Sequence, residues 1–238
     1  MKHILFTLML TCAVVSMSAT SRAQTNATPA VSADDREKAT IEKHLKPILA
    51  ALKLNDADKE AKVRAAFTTF FQAQQAWHAQ NDSQISPLWN DFNKAHAKKD
   101  DAATDAATDK IAAIYATFKP THDKFLADLS AVLTPDQVET VKDALTIRKV
   151  EITMNAYGEI FQGLTDNQKA YVLKELKAAR EEGIDTPNIK EVSAFFKKHK
   201  NKIEAYLTAQ GYDVKKSYQD FVAKQKAEQK SADTKTDQ

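Results

Sequence analysis

From Leu133 to Gln168 the chain reads LTPDQVETVKDALTIRKVEITMNAYGEIFQGLTDNQ, and one phrase, Leu-Thr-x-x-Gln, stands at both ends. In Leu133-Thr134-Pro135-Asp136-Gln137 the threonine oxygen can accept from the backbone amide three residues on, while Gln137 reaches back to the threonine amide. Leu164-Thr165-Asp166-Asn167-Gln168 repeats the arrangement, with leucine again where a hydrophobic staple residue sits. Both copies mark helix starts, and Pro135 reinforces the first. Between them Val150, Ile152 and Met154 alternate with Lys149, Glu151 and Thr153, which predicts a short extended segment near 147–155.

Working outward, the same punctuation recurs. The whole chain has four glycines, all at or after Gly158, so the first two thirds favour long helices over tight turns. The spacing of Ile41, Leu45, Ile48, Leu49 and Leu52 predicts a first helix from Asp34 or Asp35 to residue 54, kinked or broken at Pro47. A second starts near Asn55 and runs through Val63, Phe67, Phe70, Phe71, Gln74 and Trp77; Ser86-Pro87 predicts a new start. Tyr157, Ile160 and Phe161 form a short helix closed near Gly163. The helix from Asp166 is expected to end at Gly183, and the next to run from Thr186-Pro187 to Gly211, each glycine serving as a left-handed C-cap. The predicted fold class is therefore all-α, an irregular multi-helix bundle of about seven to eight helices.

The N-terminus carries an address. Lys2, an apolar run through Met17 and then Ser21-Arg22-Ala23 read as a signal peptide, residues 1–23, with periplasmic or secreted export from a Gram-negative bacterium expected. Cleavage removes Cys12, the only cysteine, so the exported protein has no disulfide. It also removes Lys2 and Arg22 and no acid, so the 34 basic residues become 32 against 32 acidic ones. A balanced charge argues against a nucleic-acid partner, and no later segment has the length of a transmembrane span. Residues 24–33 and 226–238 are expected to be disordered, leaving one helical domain over 34–225.

No cofactor and no metal are expected. None of the histidines stands four residues from another, and there is no Gly-x-Ser-x-Gly elbow, phosphate loop or dinucleotide fingerprint. His96 with Asp100, and His122 with Asp123, read as surface pairs. Asp101, Asp105 and Asp109 would line one wall of a helix, where a solvated face is expected rather than a cation site. His199 falls in the apolar seam of Ile189, Val192, Phe196, Ile203 and Tyr206, as a core histidine with a satisfied polar tip. Arg148 extends the Val138, Val141, Leu145 stripe and is expected either to be paired internally or to line a groove. The binding candidates are Arg148, Lys149, Glu151, Tyr157 and His199, with Trp89 and Tyr157 able to stack on sugar rings.

Val141-Lys142-Asp143, the second Leu-Thr-x-x-Gln start, Lys177-Ala178-Ala179-Arg180-Glu181-Glu182, and Asn201-Lys202-Ile203-Glu204-Ala205-Tyr206-Leu207 through Gln210-Gly211-Tyr212-Asp213 resemble the secreted bacterial family called domain of unknown function 3826. That resemblance implies an exported helical domain and, through the polysaccharide-use genes near which relatives are encoded, a carbohydrate theme. The two Leu-Thr-x-x-Gln motifs also resemble the Spy/CpxP-type periplasmic chaperones and stress sensors. The expected partners are thus other polypeptides or a surface, in a chaperone- or adaptor-like role without catalysis, and alternatively polysaccharide; the sequence does not fix an oligomeric state.

Overall fold

Helix-favouring composition and amphipathic periodicity give a chain that is helical wherever it is ordered by packing. In a computed structural model, residues 33–236 are described; the signal-peptide reading of 1–23 and most of the expected linker lie outside them. Among the described residues there are nine α-helices and one 3-10 turn, and no strand. They are α1 (Ala33–Leu52), α2 (Ala57–Ala97), α3 (Asp101–Tyr115), the 3-10 turn Ala116–Phe118, α4 (Lys119–Ser130), α5 (Pro135–Leu145), α6 (Lys149–Ile160), α7 (Asp166–Gly183), α8 (Ile189–Ala209) and α9 (Val214–Thr236).

Both capping boxes form. Gln137 N–H and Gln168 N–H donate to Thr134 Oγ1 and Thr165 Oγ1 at 3.3 Å, and each glutamine accepts from its threonine's own amide. Gly163 and Gly211 take positive φ, and at Gly211 the turn closes with Tyr212 N–H donating to Leu207 O at 3.1 Å. Helix α7 ends at Gly183 as expected, but this glycine is not the left-handed C-cap. It remains helical, and its bareness serves packing, because an added Cβ would stand 3.4 Å from Val192 Cα on the crossing helix. Asn188 then caps α8, two residues later than the Thr186-Pro187 start expected.

Three further expectations are corrected. The segment at 147–155 is not extended but opens α6: Val150, Met154 and Tyr157 share a helical face toward the core, while Ile152, which completed the apparent alternation, is exposed. Ser86-Pro87 does not start a helix. Pro87 lies exposed inside the 41-residue α2, where Ile85 and Phe92 are buried on either side of it, so packing carries the helix past one lost amide. Residues 226–236 continue α9, where Lys, Glu, Gln and Ala are strong helix formers. The start of α2 shifts by one residue, with Asp56 rather than Asn55 accepting from the Asp58 and Lys59 amides.

Two main apolar cores result. One joins α1, the first half of α2, α4 and α5, around Phe67, Phe70 and Phe125, with Phe70 stacked on Phe125 at 4.2 Å and Phe67 edge-on to it at 5.0 Å. The other joins α6 to α9 around Tyr157, Phe161, Val172, Leu176, Ile203 and Leu207. Ile85, Ile111, Tyr115 and Phe195 link α2 and α3 to α8. Polar ties reinforce these contacts. The aspartate row of α3 is largely solvated, as expected, with the side chains of Asp101 and Asp109 61% and 62% exposed, and it also reaches α8: Asp101 pairs with Lys197 at 2.5 Å, Asp109 with Lys198 at 2.6 Å, and Asp105 accepts from Asn201 at 3.1 Å. Arg180, 2% exposed, donates from α7 to Asp143 at 2.7 Å and to Glu139 at 2.9 Å on α5.

Candidate functional site

The two cores leave a groove of about 1660 Å³ between them. One wall is α1, from Glu37 to Ala51; the second is the middle of α2, from Phe70 to Trp89; the third is the end of α5 with the elbow into α6; the fourth is the α7–α8 loop and the first turn of α8. Its floor is aliphatic. Ile41, Ile48, Ile85, Ile184 and Val192 all line it and are otherwise buried.

The sequence candidates do not converge there. Arg148 and Glu151 do line the groove, at its lip, where Arg148 Nη2 lies 2.6 Å from the Glu151 carboxylate. Arg148 is exposed rather than internal, because it and Ile147 take left-handed backbone, φ 55° and 50°, which ends α5 and turns its stripe outward. Lys149 points elsewhere, its ammonium 5.5 Å from the Phe196 ring centre, and partial burial lowers its pKa. Tyr157 is a core residue stacked on Phe161, with burial pushing its phenol up. His199 is buried with both ring nitrogens engaged, Nδ1 to Glu175 at 2.8 Å and Nε2 to Glu182 at 3.2 Å. Trp89 lines the groove, and its buried indole N–H has no acceptor.

The suggested histidine pairs also regroup. His122 meets Asp185 at 2.9 Å across the bundle, while Asp123 pairs with Lys119; Asp100 caps α3, and His96 stacks on Phe92. The Asp185 carboxylate raises the His122 pKa.

What the groove gathers instead is a chain of polar contacts that the sequence reading did not single out. His78 Nδ1 lies 2.8 Å from Asp82 Oδ1, one turn along α2. Across the groove wall Tyr115 Oη is 3.5 Å from His78 Nε2 and donates to Glu191 Oε2 at 3.4 Å, while Asn188 Nδ2 donates to Glu191 Oε1 at 2.7 Å. Burial holds the Glu191 carboxyl above the ordinary carboxylate range, and nearby Asp82 adds to this; burial and the Glu191 charge push the Tyr115 phenol up as well. His78 and Asp82 are legible as an i, i+4 pair; Tyr115 and Glu191 come from α3 and α8, and no local spacing announces them.

Geometrically, this is an all-α protein with a long interhelical groove, aliphatic beneath and polar along its edge. The chain belongs to the family described as protein of unknown function (DUF3826), whose model matches residues 38–227. The match includes the His78, Asp82, Tyr115 and Glu191 positions and three of the groove walls in full. No curated protein matches the chain.

Proposed function

We propose that this is an exported, non-enzymatic protein that holds a segment of another polypeptide in the groove, in a chaperone-like or adaptor-like role. The groove carries this reading. Small-molecule pockets usually measure about 300–1,000 Å³, so this one has room for a polymer. Its floor is built of isoleucine and valine, which suit apolar side chains of a peptide laid against helices. The apolar leader ending at Ser21-Arg22-Ala23 supports export. The test is aggregation of a chemically denatured client followed by light scattering in the presence of the purified protein. Suppression at stoichiometric amounts is expected, and its absence would remove the chaperone version.

A carbohydrate-handling role has one observation in its favour: Trp89 lines the groove, and an indole face is a good platform for a sugar ring. Against it stands the aliphatic floor, which offers hydroxyl groups no hydrogen bonds. Binding to a glycan array that disappears in Trp89→Ala would favour the sugar.

A further inference from the structure

The edge of the groove has a charge character that narrows the partner. Of its carboxylates, Asp143 is occupied by Arg180 and Glu151 by Arg148. Glu37, Asp82 and Glu191 then face Lys43 as the remaining formal cation of the lining, an acidic surplus beside an apolar floor. Two of those acids sit at the ends of one chain of contacts through His78 and Tyr115. Asp82 is mostly exposed, whereas Glu191 is half-buried where groove wall and α8 meet.

We propose that the groove selects polypeptide segments carrying a basic side chain, with the cation received between Asp82 and Glu191 and flanking apolar residues laid on the aliphatic floor. This rests on the reading of the groove as a polypeptide site. The chemistry is complementary: an ammonium or guanidinium supplies the positive charge that a buried carboxylate lacks, and the ring edges of His78 and Tyr115 lie alongside. An anionic polymer would meet the same acids and be repelled. An aliphatic segment without a cation would keep the floor contacts and leave Glu191 as it is.

The groups facing Glu191 are His78 and Asp82 from α2, Tyr115 from α3 and Asn188 at the cap of α8, while Asp185, from the loop before α8, acts on Tyr115. Asp185 is spent on His122, so Asp82 is the acid left to share an incoming cation. A cation arriving beside Glu191 favours its ionised form, so binding is coupled to proton release wherever the carboxyl is protonated.

The experiment uses the purified exported chain and two fluorescein-labelled twelve-residue peptides of leucine and serine, identical except for a central lysine or its uncharged isostere norleucine. Anisotropy at pH 7 is expected to show the lysine peptide bound about tenfold more tightly, an advantage that shrinks on acidification as Glu191 keeps its proton. Glu191→Gln and Asp82→Asn are each expected to reduce the ratio of the two peptides' affinities to about threefold or less. Both sites are at least partly exposed, and circular dichroism confirms that the variants fold. Equal binding of the two peptides, or an advantage that both variants retain, overturns the cation subsite and leaves the polypeptide reading standing. Failure of both peptides to bind overturns the polypeptide reading itself and the subsite with it.

Discussion

Helix α8 carries two acid–histidine arrangements about two turns apart, and they differ in how completely they are satisfied. At His199 both ring nitrogens have carboxylate partners, at 2.8 and 3.2 Å, and Glu182 takes a further bond from Lys198 at 3.2 Å. His199 and Lys198 together pull the Glu182 pKa down to about 2. At Glu191 Asn188 donates at 2.7 Å, but the contact to Tyr115 is long, Tyr115's own contact to His78 is longer, and burial outweighs these partners and raises the carboxyl's pKa. A buried polar group with all its partners is part of the framework; one with too few retains interaction energy for something that arrives later. The groove lies beside the second arrangement and away from the first.

The strongest way to break this comparison is to starve the satisfied side. Arg180 is almost wholly buried while Glu139, Asp143 and Glu181 keep 40%, 34% and 38% of their side-chain surface, so losing all three acids strands a charge that water cannot reach. Glu139→Gln combined with Asp143→Asn and Glu181→Gln should therefore destabilise the fold by about 3–5 kcal/mol in urea unfolding. Arg180→Leu should cost less, because the acids it leaves behind can be hydrated. Equal losses from the two changes would mean that packing of the guanidinium, not its charge, holds α5 to α7.

Acid titration separates the two arrangements next. The folded-state pKa of Glu182 is depressed from 4.5 to about 2, so its contribution is complete above about pH 4.5 and disappears as pH falls toward 2. Urea midpoints measured across that window should fall in the parent protein and fall less in Glu182→Gln. Glu191 has the opposite sign. Its raised pKa favours the fold while the carboxyl is protonated, and that benefit is lost as pH rises through the folded value.

These contrasts were only partly legible in the sequence. Helix starts were readable where a short-range bond makes them, as at Thr134 and Thr165, and Gly163 and Gly211 were readable because the turn needs positive φ. Proline misled at residue 87, since a chain that buries Ile85 and Phe92 on one face can tolerate it on the other. The run from Val150 to Met154 misled because period two and period four share a member every fourth residue, and only burial tells Met154 from Ile152. The candidate site was mostly illegible: Arg148 and Glu151 lie on its lip, but Tyr115 and Glu191 meet across 76 residues of chain. His199 was readable as a core residue and Arg180 as nothing, because a buried arginine is visible only once its acids are in place.

The lip sharpens the comparison further. Ile147 and Arg148 both hold left-handed backbone, and a β-branched residue there carries about 1–2 kcal/mol of strain. Ile147 is 55% exposed, so little burial offsets that cost. Ile147→Gly should relieve the strain, less about 0.5–1 kcal/mol for glycine's greater freedom in the unfolded chain, for a net gain of up to about 1 kcal/mol. A thermal shift upward with weaker client binding would place the strained elbow with the groove rather than with the framework.

The smallest expected effect decides most between the two sides. Glu191→Gln removes a carboxyl whose charge the site disfavours, keeps the shape of the side chain, and retains an oxygen to accept from Asn188 or Tyr115. Stability at pH 7 should therefore shift by no more than about 0.5 kcal/mol, and upward if at all. Glu182→Gln is the same chemical change on α7, yet it takes a carboxylate away from His199 and Lys198 and should lower stability at the same pH. Parallel urea curves for the two variants measure the contrast directly. If Glu191→Gln proved the costlier of the two, the carboxylate at the groove would be a framework charge like Glu182, and the distinction between satisfied and waiting polar groups would fail in this molecule.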